Sequence, residues 1–367
     1  MAADLRIRYP PLRASSRVHL ASGALDALGP LSRRATGATR VMVVTDARVA
    51  ELHGRRALRS LRRAGLTADL VRVPRGERAK RPEVALRLWS RLAALGLSRR
   101  DAIVALGGGA VGDLAGFVAA TWLRGIAWVC APTTVLAQVD SSVGGKTGID
   151  LRAGKNLVGA FHQPVLVVTD PKTLDTLPPR QRRAGLAEVV KVGMAVDARL
   201  FRWLERHAGR LAAGEPAALA SAVRAGVAAK ARTVRRDERE REGGVRTALN
   251  FGHTLGHAIE AARGYRGILH GEAVAVGMRA AARLSERRAG LAASHRARLE
   301  DLLDALHLPR AMPSTPVARL HGAMRHDKKR SRMVRWVLTP QIGHASVPRP
   351  IERRLVEAVM LEVGARR

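Results

Sequence analysis

Cysteine is almost missing from this chain, which has Cys130 as its single thiol among 367 residues. An intrachain disulfide is therefore excluded, and a reducing, cytoplasmic compartment is the natural setting. Cys130 lies inside the apolar run 126–131. We therefore predict that it is a small buried side chain.

Long hydrophobic runs are also lacking. The longest apolar stretch, residues 102–123, contains Asp113 and five glycines, which would be costly in lipid and instead indicate a strand, a turn and a helix. We predict no transmembrane helix and no membrane partner. The Arg-rich first residues lack the continuous apolar segment of a secretory signal, and a transit peptide stays open as an alternative.

Acidic residues are scarce: 31 Asp and Glu face 64 Lys and Arg, which gives a formal net charge of +33. Such a charge favours nucleic-acid binding, because Lys and Arg release counterions from polyphosphates. Here the charge is dispersed in arginine pairs between apolar segments, and an aromatic content of 3% offers few stacking platforms for bases. We expect solvated helix faces and loops, with a basic nucleic-acid-binding protein as the alternative. The pairs are Arg33-Arg34, Arg62-Arg63, Arg99-Arg100 and Arg235-Arg236.

What the chain does contain is an alternation of short β-branched runs and helical stretches, which predicts a parallel sheet with crossover helices. After Asp170 the segments become rich in Ala, Leu, Arg and Glu, and strand signal returns only near residues 334–338. We predict an α/β domain over residues 1–170 and a mainly α-helical domain over residues 171–367, with a ligand cleft between them. The predicted strands are 41–45, 68–73, 102–106, 126–130 and 165–169, and residues 17–23 are expected to form a first strand and turn.

The predicted strand 102–106 runs directly into a glycine-rich turn, GGGAVGD over residues 107–113, and a helical segment follows to about Trp122. Glycines let backbone amides approach a pyrophosphate at a helix N-terminus, where the helix dipole favours anions. No acidic residue ends a following strand about twenty positions on. Asp46, after strand 41–45, is therefore the better candidate for a ribose contact. A packing turn without a ligand would explain the same glycines.

Metal-binding side chains occur at helical spacing near residue 250. His253, His257 and Glu260 are separated by four and three residues, which places them on one helix face. His270 and Glu188 lie in separate segments. Two imidazoles and one carboxylate suit Zn²⁺ or a similar cation, and an open fourth position makes such a site catalytic. A histidine pair four residues apart is also a common coincidence, so convergence of the three segments is the deciding observation.

The chain contains the run ALGGGAVGDLAGFVAATWLRGIAWVCAPTTVLAQVDSSVGGKTGI over residues 105–149 and, in addition, the motifs GLAEVVK, LNFGHTLGHAIE, LHGEAVAVGM and HDKK. Together these motifs closely resemble the 3-dehydroquinate synthase family. The resemblance spans about residues 18–345 in a consistent order. It implies an α/β domain that binds NAD, a helical domain that carries a divalent metal, Zn or Co, and a homodimer.

The resemblance also implies roles for individual residues. Glu188, His253 and His270 resemble the metal ligands, which leaves His257 for proton and phosphate chemistry. Arg124 is similar to an arginine that reaches the phosphate of the neighbouring subunit. Residues that resemble the NAD contacts are Asp46, Glu77, Lys80, Gly107, Gly108, Gly109, Asp113, Thr133, Thr134, Thr176 and Leu177. Residues that resemble the substrate pocket, of which the first three also border the cofactor, are Asp140, Lys146, Lys155, Asn156, Lys191, Lys230, Arg246, Asn250 and Lys328.

Each of these residues also has a simpler interpretation. The lysines, taken alone, are explained as solvated side chains, and Thr133 and Thr134 as the end of a strand. A substrate with a phosphate and a carboxylate nevertheless needs several fixed cations, and an arginine such as Arg246 can bind a carboxylate through two hydrogen bonds.

The resemblance implies the conversion of 3-deoxy-D-arabino-heptulosonate 7-phosphate to 3-dehydroquinate and phosphate, a step of aromatic amino acid biosynthesis by the shikimate pathway. The implied steps are transient oxidation by NAD, phosphate elimination, re-reduction and intramolecular aldol closure. Arg246 and Lys230 suit a substrate carboxylate, which favours this reaction over another sugar phosphate cyclase of secondary metabolism. A metal-dependent polyol dehydrogenase is a further alternative. The loop after Lys329 is about one residue shorter than the family pattern, which affects the expected position of Lys328.

Overall fold

The structure, a computed structural model, describes residues 15–241, 243–327, 334–346 and 348–367. The strands before residue 170 are β1 Arg17–Leu20, β2 Arg40–Asp46, β3 Thr67–Val73, β4 Ala102–Gly107, β5 Ala127–Pro132, β6 Lys146–Leu151, β7 Gly154–Phe161 and β8 Leu166–Thr169. Six of them form one parallel sheet in the order β1-β8-β5-β4-β2-β3. This confirms the predicted parallel sheet.

Helices cover both faces of this sheet, which explains why its strands are nearly continuous apolar runs. Val41 and Val43 pack on one face, whereas Met42 and Val44 pack on the other, as the two-residue period of a strand requires. Cys130 is buried with the second group, as predicted. The helices of this half are α1 Leu28–Thr36, α2 Ala47–Val49, α3 Arg55–Arg63, α4 Pro82–Ala94 and α5 Gly109–Thr121.

Strands β6 and β7 lie between β5 and β8 in the sequence. They form an antiparallel hairpin that is separate from the six-stranded sheet. The residue pattern over 146–161 predicted no strand, so this hairpin is a correction to the prediction. Strand β7 is exposed along most of its length, so it lacks the alternation of buried and solvated positions that identifies a strand in a sequence. Its exposed apolar side chains include Leu157, Val158 and Phe161.

The second half is mainly helical, as predicted. Its helices are α6 Pro179–Val196, α7 Ala198–Ala213, α8 Pro216–Arg236, α9 His253–Ala262, α10 His270–Ala289, α11 Ala293–Ala305, α12 Val317–Asp327 and α13 Arg353–Glu362. Four two-residue strands accompany them: β9 Thr315–Pro316, β10 Arg335–Trp336, β11 Arg349–Pro350 and β12 Ala365–Arg366. Of these, only β10 matches the predicted strand signal. None of the described helices has the length and hydropathy needed to cross a bilayer.

Short 3₁₀ and π segments complete the described elements, at residues 24–27, 76–80, 122–124, 171–176 and 245–250 for 3₁₀ and at 50–54 and 137–141 for π. All eight members of the predicted surface arginine pairs are exposed. The positive charge of these pairs therefore lies on solvated helix faces and loops.

Candidate metal and cofactor site

Glu188, His253 and His270 come from three helices and meet in the helical half. Glu188 lies in the middle of α6, whereas His253 and His270 are the first residues of α9 and α10. Glu188 Oε1 lies 3.7 Å from His253 Nε2 and 3.5 Å from His270 Nε2. This oxygen is buried and finds no hydrogen-bond partner within the described residues. A cation among the three atoms would satisfy it, and the donor set suits Zn²⁺ or Co²⁺.

Glycines bring these helices close enough for the ligands to converge. A Cβ at Gly271 would overlap the carbonyl group of Ala184 on α6, and one at Gly277 would overlap the carbonyl oxygen of Gly252. Gly252 itself has φ of 81° where it precedes α9, a left-handed conformation that favours glycine. The close contacts among α6, α9 and α10 therefore require glycine at these positions.

A buried lysine balances the charge of Glu188. Lys191, one turn along α6, donates to Glu188 Oε2 and lies 3.6 Å from Asp140 Oδ1. Although burial opposes ionisation, Lys191 and His253 hold the pKa of Glu188 well below its usual range. Burial and the Lys191 charge lower the pKa of His253 well below 6.5. The His253 ring is therefore neutral, which leaves a nitrogen free to bind a cation.

His270 is held by carboxylates on both sides. Its Nε2 faces Glu188, and its Nδ1 lies 2.9 Å from Glu260 Oε2. Although burial opposes protonation, the neighbouring carboxylates of Glu188 and Glu260 raise the pKa of His270 to about 10. A cation at Nε2 would take the place of that proton, while Glu260 would keep the Nδ1 proton in position. Glu260, which helical spacing alone left as a candidate ligand, thus lies behind His270.

His257 lies beside the same pair of histidines. Its ring centroid is 5.1 Å from that of His253 and 5.8 Å from that of His270. Ring nitrogens of the three histidines all come within 4.8 Å of one another, so geometry alone permits His257 as a ligand in place of Glu188. The buried, unsatisfied oxygen favours Glu188, because a buried carboxylate oxygen without a partner costs more than a half-buried imidazole outside the ligand set.

Two further buried cations, Lys230 and Arg246, lie near Asp140. Lys230 on α8 donates to Asp140 Oδ1 at 2.7 Å and to its backbone oxygen at 2.6 Å. Arg246 is 3% exposed, and it donates to the backbone oxygens of Gly144 and Glu238. Burial lowers the pKa of both cations in spite of the neighbouring carboxylates. A bound anion would relieve the cost of burying these charges.

Lys146 and Asn250 meet at a carboxylate that the sequence analysis missed. Glu240 accepts hydrogen bonds from Lys146 Nζ and from Asn250 Nδ2, the latter at 2.5 Å. Although Glu240 is partly buried, Lys146 and Asn250 keep its pKa below the usual range. In the sequence Glu240 lies in a run of alternating acidic and basic residues that is typical of a solvated loop, so no pattern marked it. A substrate bound by Lys146 and Asn250 would have to displace this carboxylate.

The glycine turn connects β4 to α5. A Cβ at Gly107 would lie 2.9 Å from Val111 side-chain atoms, and one at Gly109 would lie 3.0 Å from Ser141 Oγ. Because the first amides of a helix have no partner within the helix, the start of α5 offers N–H donors to an anion. A Cβ at Gly108 would lie 3.3 Å from the side chain of Thr134. The turn therefore fits a pyrophosphate that approaches the backbone closely.

Charged side chains connect this turn to the β6–β7 hairpin. Lys80 is 2% exposed; its Nζ lies 2.8 Å from Asp113 Oδ2 and also donates to Asn156 Oδ1. Asn156 has φ of 54° and donates its backbone N–H to Asp150 Oδ1 at 2.9 Å. Lys80, Asp113, Asn156 and Asp150 thus form one network. All of them except Asp150 were singled out in the sequence.

Lys155, the neighbour of Asn156, reaches toward both halves of the chain. Its Nζ lies 2.9 Å from Glu77 Oε1 and 3.5 Å from Glu260 Oε1. Although desolvation opposes ionisation of Glu77, Lys80 and Lys155 lower its pKa. Lys155 is therefore paired with carboxylates and is not a solvated surface lysine.

Three of the remaining predicted cofactor contacts have structural partners of their own. Asp46 caps α2 by accepting from Val49 N at 3.0 Å. Thr176 Oγ1 lies 3.1 Å from Nε2 of His53, a residue that the sequence analysis did not single out. Leu177 is 8% exposed and packs in the core of the helical half. Thr133 Oγ1 is buried and has no hydrogen-bond partner within the described residues, which leaves it available to a ligand.

Comparisons with known proteins agree with this geometry. A family model described as 3-dehydroquinate synthase N-terminal matches residues 70–184, and one described as 3-dehydroquinate synthase C-terminal matches residues 185–330. A 3-dehydroquinate synthase from Symbiobacterium thermophilum is 49% identical over 345 residues, which cover 93% of each chain. The chain belongs to the 3-dehydroquinate synthase family. These matches do not favour a nucleic-acid-binding protein.

Two solved structures of related enzymes also resemble this member of the 3-dehydroquinate synthase family. One is 2-epi-5-epi-valiolone synthase from Streptomyces hygroscopicus subsp. jinggangensis with NAD⁺ and Zn²⁺ bound, with 28% identity, a TM-score of 0.88 and coverage of 98% of this chain and 99% of the other. The other is 2-deoxy-scyllo-inosose synthase complexed with carbaglucose-6-phosphate, NAD⁺ and Co²⁺, with 28% identity, a TM-score of 0.86 and coverage of 95% and 96%.

Arg124, which the 3-dehydroquinate synthase resemblance singled out, lies apart from this cluster. Arg124 precedes β5, at the amino edge of the sheet, whereas the glycine turn lies at the carboxyl edge. A six-residue strand separates the two edges by about 20 Å, so Arg124 does not join the site of its own chain. Lys328 lies outside the described residues.

Proposed function

We propose that this chain converts 3-deoxy-D-arabino-heptulosonate 7-phosphate to 3-dehydroquinate and phosphate. The observation that carries the proposal is the convergence of His253 and His270 on a buried, unsatisfied oxygen of Glu188. Membership of the 3-dehydroquinate synthase family gives this centre its substrate. The proposal assigns residues 1–170 to cofactor binding and residues 171–367 to binding of the metal and the substrate.

NAD is the proposed redox cofactor. The glycine turn and the start of α5 support it, because they offer backbone N–H groups to a pyrophosphate where a side chain would intrude. Asp46, at the carboxyl end of β2, is the proposed ribose contact. Thr133 supplies a buried hydroxyl without a partner in the described chain. Two structurally similar cyclases were solved with NAD⁺ bound.

Zn²⁺ or Co²⁺ is the proposed metal, held by Glu188, His253 and His270. When bound, such an ion would lower the pKa of a substrate hydroxyl and stabilise the oxyanion that forms. The protein's own contribution is orientation: Lys191 holds Glu188 from α6, and Glu260 holds His270 through its Nδ1. These contacts keep both ligands in the orientation that the ion requires.

The buried cations are the proposed anion-binding groups of the substrate pocket. Arg246 would bind the substrate carboxylate through two N–H groups, exchanging its long 3.4 Å contacts to the Gly144 oxygen for charge-assisted hydrogen bonds. Lys230 would contribute a second positive charge beside it. Lys146, Asn156 and Asn250 would bind the remaining polar groups, after Glu240 has moved away from Lys146 and Asn250.

His257 is the proposed proton-transfer residue for phosphate departure. It lies against the rings of His253 and His270 but outside the proposed ligand set. A ring nitrogen of His257 would hold the proton that the leaving phosphate requires. Positioning and charge neutralisation by these fixed side chains supply the remainder of the catalysis.

A homodimer is the proposed assembly. Leu157, Val158 and Phe161 are exposed on β7 by 55%, 36% and 47%, and β7 pairs only with β6 within the described residues. An exposed apolar edge strand is a surface that a second copy would cover. Arg124 supports the same arrangement, because it is remote from the site of its own chain and would reach that of a neighbour.

A reducing, cytoplasmic setting is proposed from the single, buried Cys130.

The test supplies the heptulosonate phosphate, NAD and either Zn²⁺ or Co²⁺ to the purified chain. We expect equimolar phosphate and dehydroquinate with no net accumulation of NADH, because the hydride returns to the product. Stoichiometric NADH release would identify a dehydrogenase instead. Turnover of a sugar phosphate that lacks a carboxylate, at the same rate, would identify another cyclase and contradict the role of Arg246.

A further inference from the structure

Lys155 contacts both halves of the chain through one ammonium group. It is the second residue of β7, and its Nζ lies 2.9 Å from Glu77 Oε1 and 3.5 Å from Glu260 Oε1. The same atom lies 4.0 Å from the ring centroid of Tyr265, which follows α9. One side chain of the hairpin therefore fixes a carboxylate on the cofactor side and a carboxylate on the metal side.

The metal-side carboxylate leads directly to a proposed metal ligand. Glu260 is 7% exposed, and its second oxygen, Oε2, lies 2.9 Å from His270 Nδ1. Because the carboxylate is a rigid planar group, a shift of Oε1 toward or away from Lys155 also moves Oε2. The orientation of the His270 ring therefore depends on the position of Lys155.

The cofactor-side carboxylate leads to the glycine turn by a similar route. Glu77 lies 3.9 Å from Lys80 Nζ. Lys80 in turn lies 2.8 Å from Asp113 on α5, the helix that begins at the turn. A cofactor that packs against the first turn of α5 would hold Asp113 in place, and with it Lys80 and Glu77.

We infer that Lys155 is a positioning residue that links occupancy of the cofactor turn to metal binding, acting through Glu260. The inference rests on the proposed metal and cofactor sites. Ion pairs in partly buried surroundings are weakly screened by solvent. Displacement of one charged group therefore changes the electrostatic force on its neighbour. Linkage is reciprocal: if NAD strengthens metal binding, then the metal strengthens NAD binding by the same factor.

The experiment measures Co²⁺ affinity by competition with a chelator, with and without saturating NAD, and the dissociation constant of NAD with and without Co²⁺. In the parent protein we expect NAD to tighten Co²⁺ binding about tenfold, within the usual range of coupling between sites. Lys155→Met should reduce this factor to less than about twofold. Lys155→Arg, which keeps the positive charge, should restore most of it.

Lys172→Met is the matched control, because Lys172 is exposed and lies outside the proposed site. It should retain the linkage factor of the parent. Glu260→Gln should weaken Co²⁺ binding by about 10–100-fold, as loss of an outer hydrogen-bond partner of a ligand does, and should alter the visible spectrum of bound Co²⁺. Adding Lys155→Met to Glu260→Gln should then change Co²⁺ affinity no further.

The outcomes separate this inference from the proposed function. A parent protein that binds NAD and Co²⁺ independently, or a Lys155→Met variant that keeps the linkage, overturns the inference and leaves the proposed function intact. Additive losses of Co²⁺ affinity in the double variant also overturn it, because Lys155 would then act by another route. A parent protein that binds no Co²⁺ at these residues overturns the proposed metal site itself.

Discussion

The metal end and the cofactor end of the site are built differently. At the metal end, Glu188 and Lys191 are 0% and 2% exposed and stand on one long helix. At the cofactor end, the side chains of Glu77 and Lys146 are 45% and 54% exposed and stand on short segments or on the hairpin. A small ion needs ligands that are already in place before it arrives. A large cofactor and substrate need an entrance, where exposed charges pair with one another until the ligand replaces them.

The sharpest way to break the metal end is Glu188→Gln. The substitution keeps the shape but removes the anionic ligand, so we expect metal content to fall below about a tenth of the parent value. Loss of several kcal/mol of stabilisation by the ion corresponds to at least about a thousandfold lower turnover. Metal analysis after dialysis and steady-state kinetics measure both effects. Full metal content in this variant would contradict the assignment and favour the three-histidine alternative.

His257→Ala tests the same end from outside the proposed ligand set. We expect turnover to fall by about 10²–10⁴-fold, the usual range for loss of a proton-transfer group, while metal content stays near that of the parent. Metal analysis and kinetics on the same preparation decide the question. If the variant loses its metal, His257 is a ligand and its role in phosphate departure is wrong.

Arg246→Lys tests the buried cation next to the metal end. Lysine keeps the charge but cannot donate two parallel hydrogen bonds to a carboxylate. We expect kcat/KM to fall by about 10–100-fold, a cost of about 1.4–3 kcal/mol, with metal content and NAD affinity unchanged. Unaltered KM and kcat would show that Arg246 does not bind the substrate carboxylate.

Gly109→Ala tests the cofactor end. The added Cβ would lie 3.0 Å from Ser141 Oγ, so either that side chain or the first residues of α5 would have to shift. We expect NAD affinity to fall about tenfold, while metal content stays at the parent level. Gly322→Ala is the control, because nothing lies within 4 Å of a Cβ at that position. Equal NAD affinity in both variants would remove the turn from the cofactor site.

The smallest effect is expected where the hairpin connects the two ends. Burial and a hydrogen bond with Glu77 raise the pKa of Asp150 from 3.8 to about 6. Between about pH 4 and pH 6 the folded chain therefore binds more protons than the unfolded chain, so its free energy of unfolding decreases as pH rises. Because Asp150 is partly open to solvent, screening limits the effect on the free energy of unfolding to about 1 kcal/mol.

Asp150→Asn should remove the decrease in the free energy of unfolding between about pH 4 and pH 6. Over this range the variant should therefore become more stable relative to the parent as pH rises. Urea unfolding at pH 4, 5, 6 and 7 measures the difference between the two curves. A constant difference across the series would show that Asp150 ionises alike in the folded and unfolded chains.

The central strands of the parallel sheet could be predicted because each is a short apolar run next to a turn. The predicted strand 102–106 corresponds to β4 at Ala102–Gly107. The hairpin could not be predicted in this way, because β7 is exposed on both faces and carries no alternation. For the site, helical spacing placed His253, His257 and Glu260 on one face of α9. It could not decide which of them binds the ion.

By itself, the sequence determined the local chemistry: a strand that ends in glycines before a helix, and histidines one helical turn apart. These patterns depend on residues close in the chain, whose geometry follows from the backbone. The tertiary structure alone decided that Glu188 would face His253 and that Lys155 would reach Glu260, 105 positions away. Such contacts depend on how closely whole helices pack, and that distance is the combined result of many side chains and of a few glycines far apart in the sequence.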